Sequence, residues 1–138
     1  MYSTTLILTT FLSLSSAALI RLPRASNSTA AASSSSLAGA DFGSCTPTMD
    51  FQLGRAEFNR KATEGTFFPT DATLVGNSGQ SDALNPNIIT NFICDQLTNV
   101  CGANDAAKTA CTAAQSTVQG LGTKDQSTAD AFNSALGF

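Results

Sequence analysis

The chain has 138 residues, with 7 Lys and Arg against 10 Asp and Glu, four cysteines, and neither histidine nor tryptophan. The length allows one domain, and a formal charge of -3 without a basic stripe excludes a sequence-independent grip on nucleic acid. With no imidazole, general acid-base chemistry falls to carboxylates.

Residues 1–18 carry an uncharged apolar run, Leu6-Ile7-Leu8 through Phe11-Leu12 and Leu14, closed by Ser15-Ser16-Ala17-Ala18. This reads as a secretory signal peptide, with cleavage after Ala18 and a mature start at Leu19. The run is too short and too interrupted by Thr and Ser to span about 30 Å of hydrocarbon. No second apolar segment of that length follows, so no membrane anchor is expected and the expected location is extracellular. Pro23-Arg24 offers a second processing point, which would start the mature chain at Ala25.

From Ala25 to Ala40 the sequence is almost wholly Ser, Ala and Thr. Such side chains bury too little to offset the entropy of ordering the backbone, so residues 19–44 are expected to form a flexible arm and 45–138 the folded domain. Asn27-Ser28-Thr29 is the single N-x-[ST] sequon, making Asn27 the glycosylation candidate.

Met49-Asp50-Phe51-Gln52-Leu53 alternates apolar with polar, and Gly65-Thr66-Phe67-Phe68-Pro69 follows a charged stretch. Two short strands, paired as a hairpin, are the reading. Between them Arg55, Arg60 and Lys61 interleave with Glu57, Phe58 and Glu64, which reads as paired surface charge rather than an anion site. Thr70 to Ala83 is expected to be a loop. Within it, Gly76-Asn77-Ser78-Gly79-Gln80 lacks the lysine and the strand-to-helix setting of a phosphate loop, so it reads as a plain turn.

Asn85-Pro86 opens a helix, with Asn as the cap and Pro at the first helical position, running to Val100. Its polar residues gather on one narrow arc, while Ile88, Ile89, Phe92, Ile93, Leu97 and Val100 sweep most of the rest. That distribution predicts a helix wrapped by protein on several sides. Gly102 ends it, and Asn104 caps a second helix from Asp105 to Gln119, whose Ala107, Cys111, Ala114, Val118 and Leu121 share a face. Thr123-Lys124-Asp125-Gln126 fits a capping box for a third helix, with Ala129, Phe132 and Leu136 on one side and Gly137 at its end. The fold class is therefore α+β: a helical hairpin plus a third helix over about residues 86–136, preceded by a two-stranded element. The phenylalanines are expected to supply most of the apolar bulk.

Cys45, Cys94, Cys101 and Cys111 form an even set behind an export signal, which implies two disulfides. A zinc site lacks both a C-x2-C pair and a histidine, and a catalytic thiol lacks a neighbouring base. In an antiparallel helical hairpin, Cys94 and Cys111 lie at equal distance from the turn and meet at one level. A Cys101–Cys111 bond would have to span about 10 Å along the axis, beyond a limit near 7 Å. The pairing expected is Cys94 with Cys111 and Cys45 with Cys101.

Cys45-Thr46-Pro47-Thr48, the segment from Ala83 to Cys101, and Thr128-Ala129-Asp130-Ala131-Phe132-Asn133 together resemble a group of small secreted, four-cysteine proteins of mushroom-forming (basidiomycete) fungi. The likeness covers about residues 45–138. It implies secretion, a four-cysteine framework and an effector-like or substrate-associated role outside the cell. That group carries no assigned catalytic residues, so the resemblance transfers no site.

The leading functional reading is a small secreted, disulfide-stapled protein without recognisable catalytic apparatus, an effector-like or signalling-type protein acting as a monomer by binding an extracellular protein or cell-wall material. No catalytic, metal or cofactor residue is assigned. The alternative is a small acidic hydrolase using two of Asp50, Glu57, Glu64 and Asp71, which recur every seven residues and would need a separation of about 5–9.5 Å. Against it, Tyr2 is the lone tyrosine, so the usual sugar-stacking side chains are missing. Asp82, Asp95, Asp105, Asp125 and Asp130 lack EF-hand spacing. A surface-coating role is weaker still, since four cysteines are too few for a hydrophobin-like framework and no large exposed apolar run is visible.

Overall fold

The computed structural model describes residues 37–138 except Asn77. The expected export signal, both expected processing points and the Asn27 sequon lie outside the described residues.

Strands β1 (Met49–Leu53) and β2 (Gly65–Pro69) pair antiparallel, from Met49 opposite Pro69 to Leu53 opposite Gly65. Alternation turns Met49, Phe51 and Phe67 inward, where the rings of Phe51 and Phe67 lie 5.1 Å apart. A Cβ on Gly65 would come within 2.2 Å of the Phe51 ring, so any larger residue there would have to displace that ring. The free edge of β2 is closed by Ala83, which exchanges two backbone hydrogen bonds with Phe67 at 2.8 and 3.0 Å.

Four helices follow: α1 (Ala72–Val75), α2 (Pro86–Asn99), α3 (Asp105–Leu121) and α4 (Gln126–Ala135). The single turn α1 stands inside the stretch expected to be loop. Asp71 creates it by accepting the Thr73 N–H, and the turn carries Leu74 into the core. Asn85 caps α2 with Pro86 first in the helix, as expected. However, α2 is covered on one face rather than several. Ile89, Ile93 and Leu97 are wholly buried, whereas Ile88 is 51% exposed.

Helix α3 starts at its Asn104 cap and ends at Gly122, in the left-handed conformation at φ +64°. Its inner face is Ala107, Ala110, Cys111, Ala114 and Val118, small side chains that let α2 and α4 approach closely; Leu121 is exposed. The cap of α4 is Asp125 rather than Thr123. Asp125 accepts the Ser127 N–H while the Thr128 hydroxyl accepts the Asp125 N–H, so the box sits two residues later and Thr123 bonds the Thr128 hydroxyl instead. Ala129, Phe132 and Leu136 are buried on the face their spacing predicts.

Both disulfides join the pairs that helix geometry selected, Cys45–Cys101 and Cys94–Cys111, with Cα separations of 5.3 and 5.7 Å. Phe67 and Phe132 are fully buried, but Met49, Leu74, Ile89, Ile93, Leu97 and Leu136 fill as much of the core. The expected dominance of phenylalanine is thus not observed, since Phe138 is exposed and Phe58 and Phe68 only partly covered.

Packing reaches back to Leu37, into the stretch read as arm. Leu37, Ala40 and Phe42 lie against the core. Asn104 ties them down while capping α3: its carboxamide accepts the Asp41 N–H and donates to Gly39 C=O, and its own N–H donates to Asp41 C=O. Three apolar side chains and one multiply bonded asparagine are enough to order a segment whose average composition is unpromising.

Candidate functional site

The outer face of the hairpin carries the side chains that alternation turns away from the core: Asp50 from β1 and Phe68 from β2, with Thr48 just before β1 and Thr70 just after β2. Thr70 N–H donates to Thr48 C=O at 3.0 Å, and the two hydroxyls are hydrogen-bonded. Helix α4 lies along the open edge of β1, held there by Asn133. Its carboxamide accepts the Met49 N–H at 3.0 Å and donates to Met49 C=O at 2.9 Å, imitating a neighbouring strand.

An open groove of about 470 Å³ results. Thr48, Asp50 and Thr70 form one wall, and Gln126, Asp130 and Ser134 the other. Phe138 also lines it, 51% exposed and with the Phe42 ring 5.6 Å from its own. Thr70 also lines a second, more apolar hollow of about 300 Å³, against Phe68, Pro69, Ala72 and Val75.

The basic residues expected to form surface pairs are partly interior. Arg55 is 3% exposed. Its Nη2 donates to Asp50 at 2.6 Å, Nη1 to Glu57 at 3.4 Å and Nε to the Thr66 hydroxyl at 3.4 Å, and the guanidinium lies 5.3 Å from the Phe68 ring centroid. Arg60 grips Asp82 through Nε at 2.9 Å and Nη2 at 2.8 Å, and the Asp82 side chain has no exposed surface. Burial pushes the Asp82 carboxyl up, but hydrogen bonds from Arg60, Thr66 and Ser81 outweigh it and hold the group below the ordinary carboxylate value. Lone charges in these positions would be costly, and the hydrogen-bonded pairing offsets much of that cost.

The seven-residue series of carboxylates does not assemble into one site. Asp50 and Glu57 meet on Arg55, while Glu64 accepts the Lys61 N–H in the connecting turn at 2.9 Å. Asp71 caps α1 and also accepts the Thr46 N–H at 2.6 Å. Burial would raise the Asp71 carboxyl, but the N–H groups of Thr46 and Thr73 bring it below the ordinary value. The carboxylates that do share a concave surface are Asp50 and Asp130. Sequence reasoning tested Asp130 only as a calcium ligand. The overlooked signal is the polar stripe Gln126, Asp130, Asn133, Ser134 at helical spacing, beside the apolar Ala129-Phe132-Leu136 face.

Among the described residues no group of three or more His, Cys, Asp or Glu side chains is placed to hold a metal ion, and no helix is long and apolar enough to cross a membrane. No protein-family model, curated protein or solved structure matches the chain.

Proposed function

We propose that the protein is exported and acts outside the cell by binding, through the groove between β1 and α4, in the way its resemblance to the basidiomycete small secreted proteins implies. The observation that carries the reading is the pair of disulfides, which account for all four cysteines. Such crosslinks persist in oxidising surroundings. The apolar, uncharged first 18 residues supply a route there. The groove supports binding because it gathers hydroxyls, carboxamides, two carboxylates and an exposed ring on rigid elements.

The test is retention on extracellular and cell-wall material of the producing organism, comparing wild type with the exposed groove variants Asp130→Asn and Phe138→Ala. Wild type is expected to be retained and the variants released. Equal retention of all three removes the groove from the account, and no retention removes binding.

A second reading, a small acidic hydrolase, is favoured by one observation: Asp50 and Asp130 line the same groove. It requires that the protein release new reducing ends from a polysaccharide, and that Asp130→Asn abolish the release.

A further inference from the structure

We propose that the groove takes a carbohydrate chain bearing free amines, a polymer of amino sugars; this deepens the binding reading above and rests on it. Charge complementarity comes first. The ionised groups opening into the groove are Asp50 and Asp130. The nearest cation, Arg55, lies behind Asp50 with only 4% of its side chain exposed. Arg55 and Gln126 each engage one carboxylate oxygen, Oδ1 of Asp50 and Oδ1 of Asp130, leaving the Oδ2 atoms as acceptors. All ten carboxylates of the chain lie within the described residues, against Arg55, Arg60, Lys61, Lys108 and Lys124. A polyanion would be repelled here, and a polycation would be drawn in.

The uncharged groups narrow the class. Thr48, Thr70 and Ser134 present hydroxyls beside the carboxylates, a set suited to a ligand rich in O–H and N–H donors. The exposed Phe138 ring, fixed by Phe42, offers a π face for the C–H face of a sugar ring or for an ammonium group, where tryptophan and tyrosine are lacking. Thr70 lines both the groove and the more apolar hollow beside Phe68, so two recesses lie next to each other on one face, an arrangement that suits a chain more than a single ring.

A basic peptide satisfies the charge but not the backbone. Peptides that dock on a strand edge draw affinity from main-chain hydrogen bonds. Both outward-facing groups of Met49 at the floor of the groove are already taken by Asn133. Recognition at this point is therefore by side chains.

The experiment is calorimetric titration of the oxidised protein with a β-1,4-linked glucosamine hexamer, its fully N-acetylated counterpart and a lysine hexamer, at a pH where amines are protonated and carboxylates ionised. The glucosamine hexamer is expected to bind, with the acetylated hexamer and the lysine hexamer each at least about tenfold weaker. Asp130→Asn and Phe138→Ala are each expected to weaken glucosamine binding about tenfold while far-UV circular dichroism stays unchanged. Absence of glucosamine binding, equal binding of either comparison ligand, or indifference to both substitutions overturns the proposal. If the glucosamine hexamer fails while groove-dependent retention on wall material persists, the ligand class falls and the binding reading stands.

Discussion

Removal of the Cys45–Cys101 bond as Cys45→Ala/Cys101→Ala is the sharpest probe of how this body is stabilised. The bond closes a sequence separation of 56 residues, against 17 for Cys94–Cys111. On the chain-entropy model these loops are worth about 4 and about 3 kcal/mol respectively. Alanine avoids burying a hydroxyl at sites that are 7% and 4% exposed. For a body of this size total stability is about 5–15 kcal/mol, so losing about 4 consumes much of it, and the melting temperature should fall by about 16–32 °C. The opposing consideration is local: Ser44 N–H donates to Cys101 C=O at 3.0 Å, and Gly43 lies against the same carbonyl, so the strands of chain touch without sulfur. Urea unfolding followed by circular dichroism, for wild type and both disulfide-less variants, separates the possibilities. A loss under about 1 kcal/mol for the long loop, or a larger loss for the short one, would refute the entropic reasoning.

Three further outcomes are expected. Asp82 has a folded-state value below its unfolded one, so its contribution is fully present above the unfolded value near pH 4 and is lost as pH falls below that; the urea midpoint of wild type should drop over this acid range, and Asp82→Asn should start lower and drop less. Gly43→Ala would place a Cβ 1.9 Å from the Cys101 oxygen at φ +65°, costing more than about 2 kcal/mol, whereas Gly122→Ala, at φ +64° in open space, should cost about 1 kcal/mol by the same unfolding assay. Asn133→Ala removes both bonds to Met49 and should cost about 1–3 kcal/mol, with faster hydrogen exchange at the Met49 amide as its specific signature.

Local signals in the sequence had unequal reach. Alternation at 49–53 and the Asn85-Pro86 start name their elements because the relevant physics is confined to neighbouring residues, and the helical hairpin followed far enough to pair the cysteines. The α4 cap differs from its expected place because Thr123 and Asp125 both suit a helix start, and the contacts each makes with Thr128 decide between them. Ile88 is exposed against expectation because a helical wheel counts apolar residues without specifying how many partners surround the helix. The interior position of Arg55 and Asp82 was illegible for a related reason: each is admitted to the interior by a partner brought from elsewhere in the chain or by the fold of the turn. The groove needed the register of β1 on α4, set by Asn133 across a separation of 84 residues.

Export from the cell and the pairing of Cys45 with Cys101 and Cys94 with Cys111 can be tested together in one experiment. The direct measurement is mass spectrometry, after alkylation without reduction, of protein recovered from the culture medium of cells expressing the full chain. The expectation is a chain starting at Leu19 or Ala25, with no alkylated cysteine and with crosslinked peptides joining Cys45 to Cys101 and Cys94 to Cys111. Recovery only from within the cells, with Met1 retained and four alkylated thiols, would contradict it.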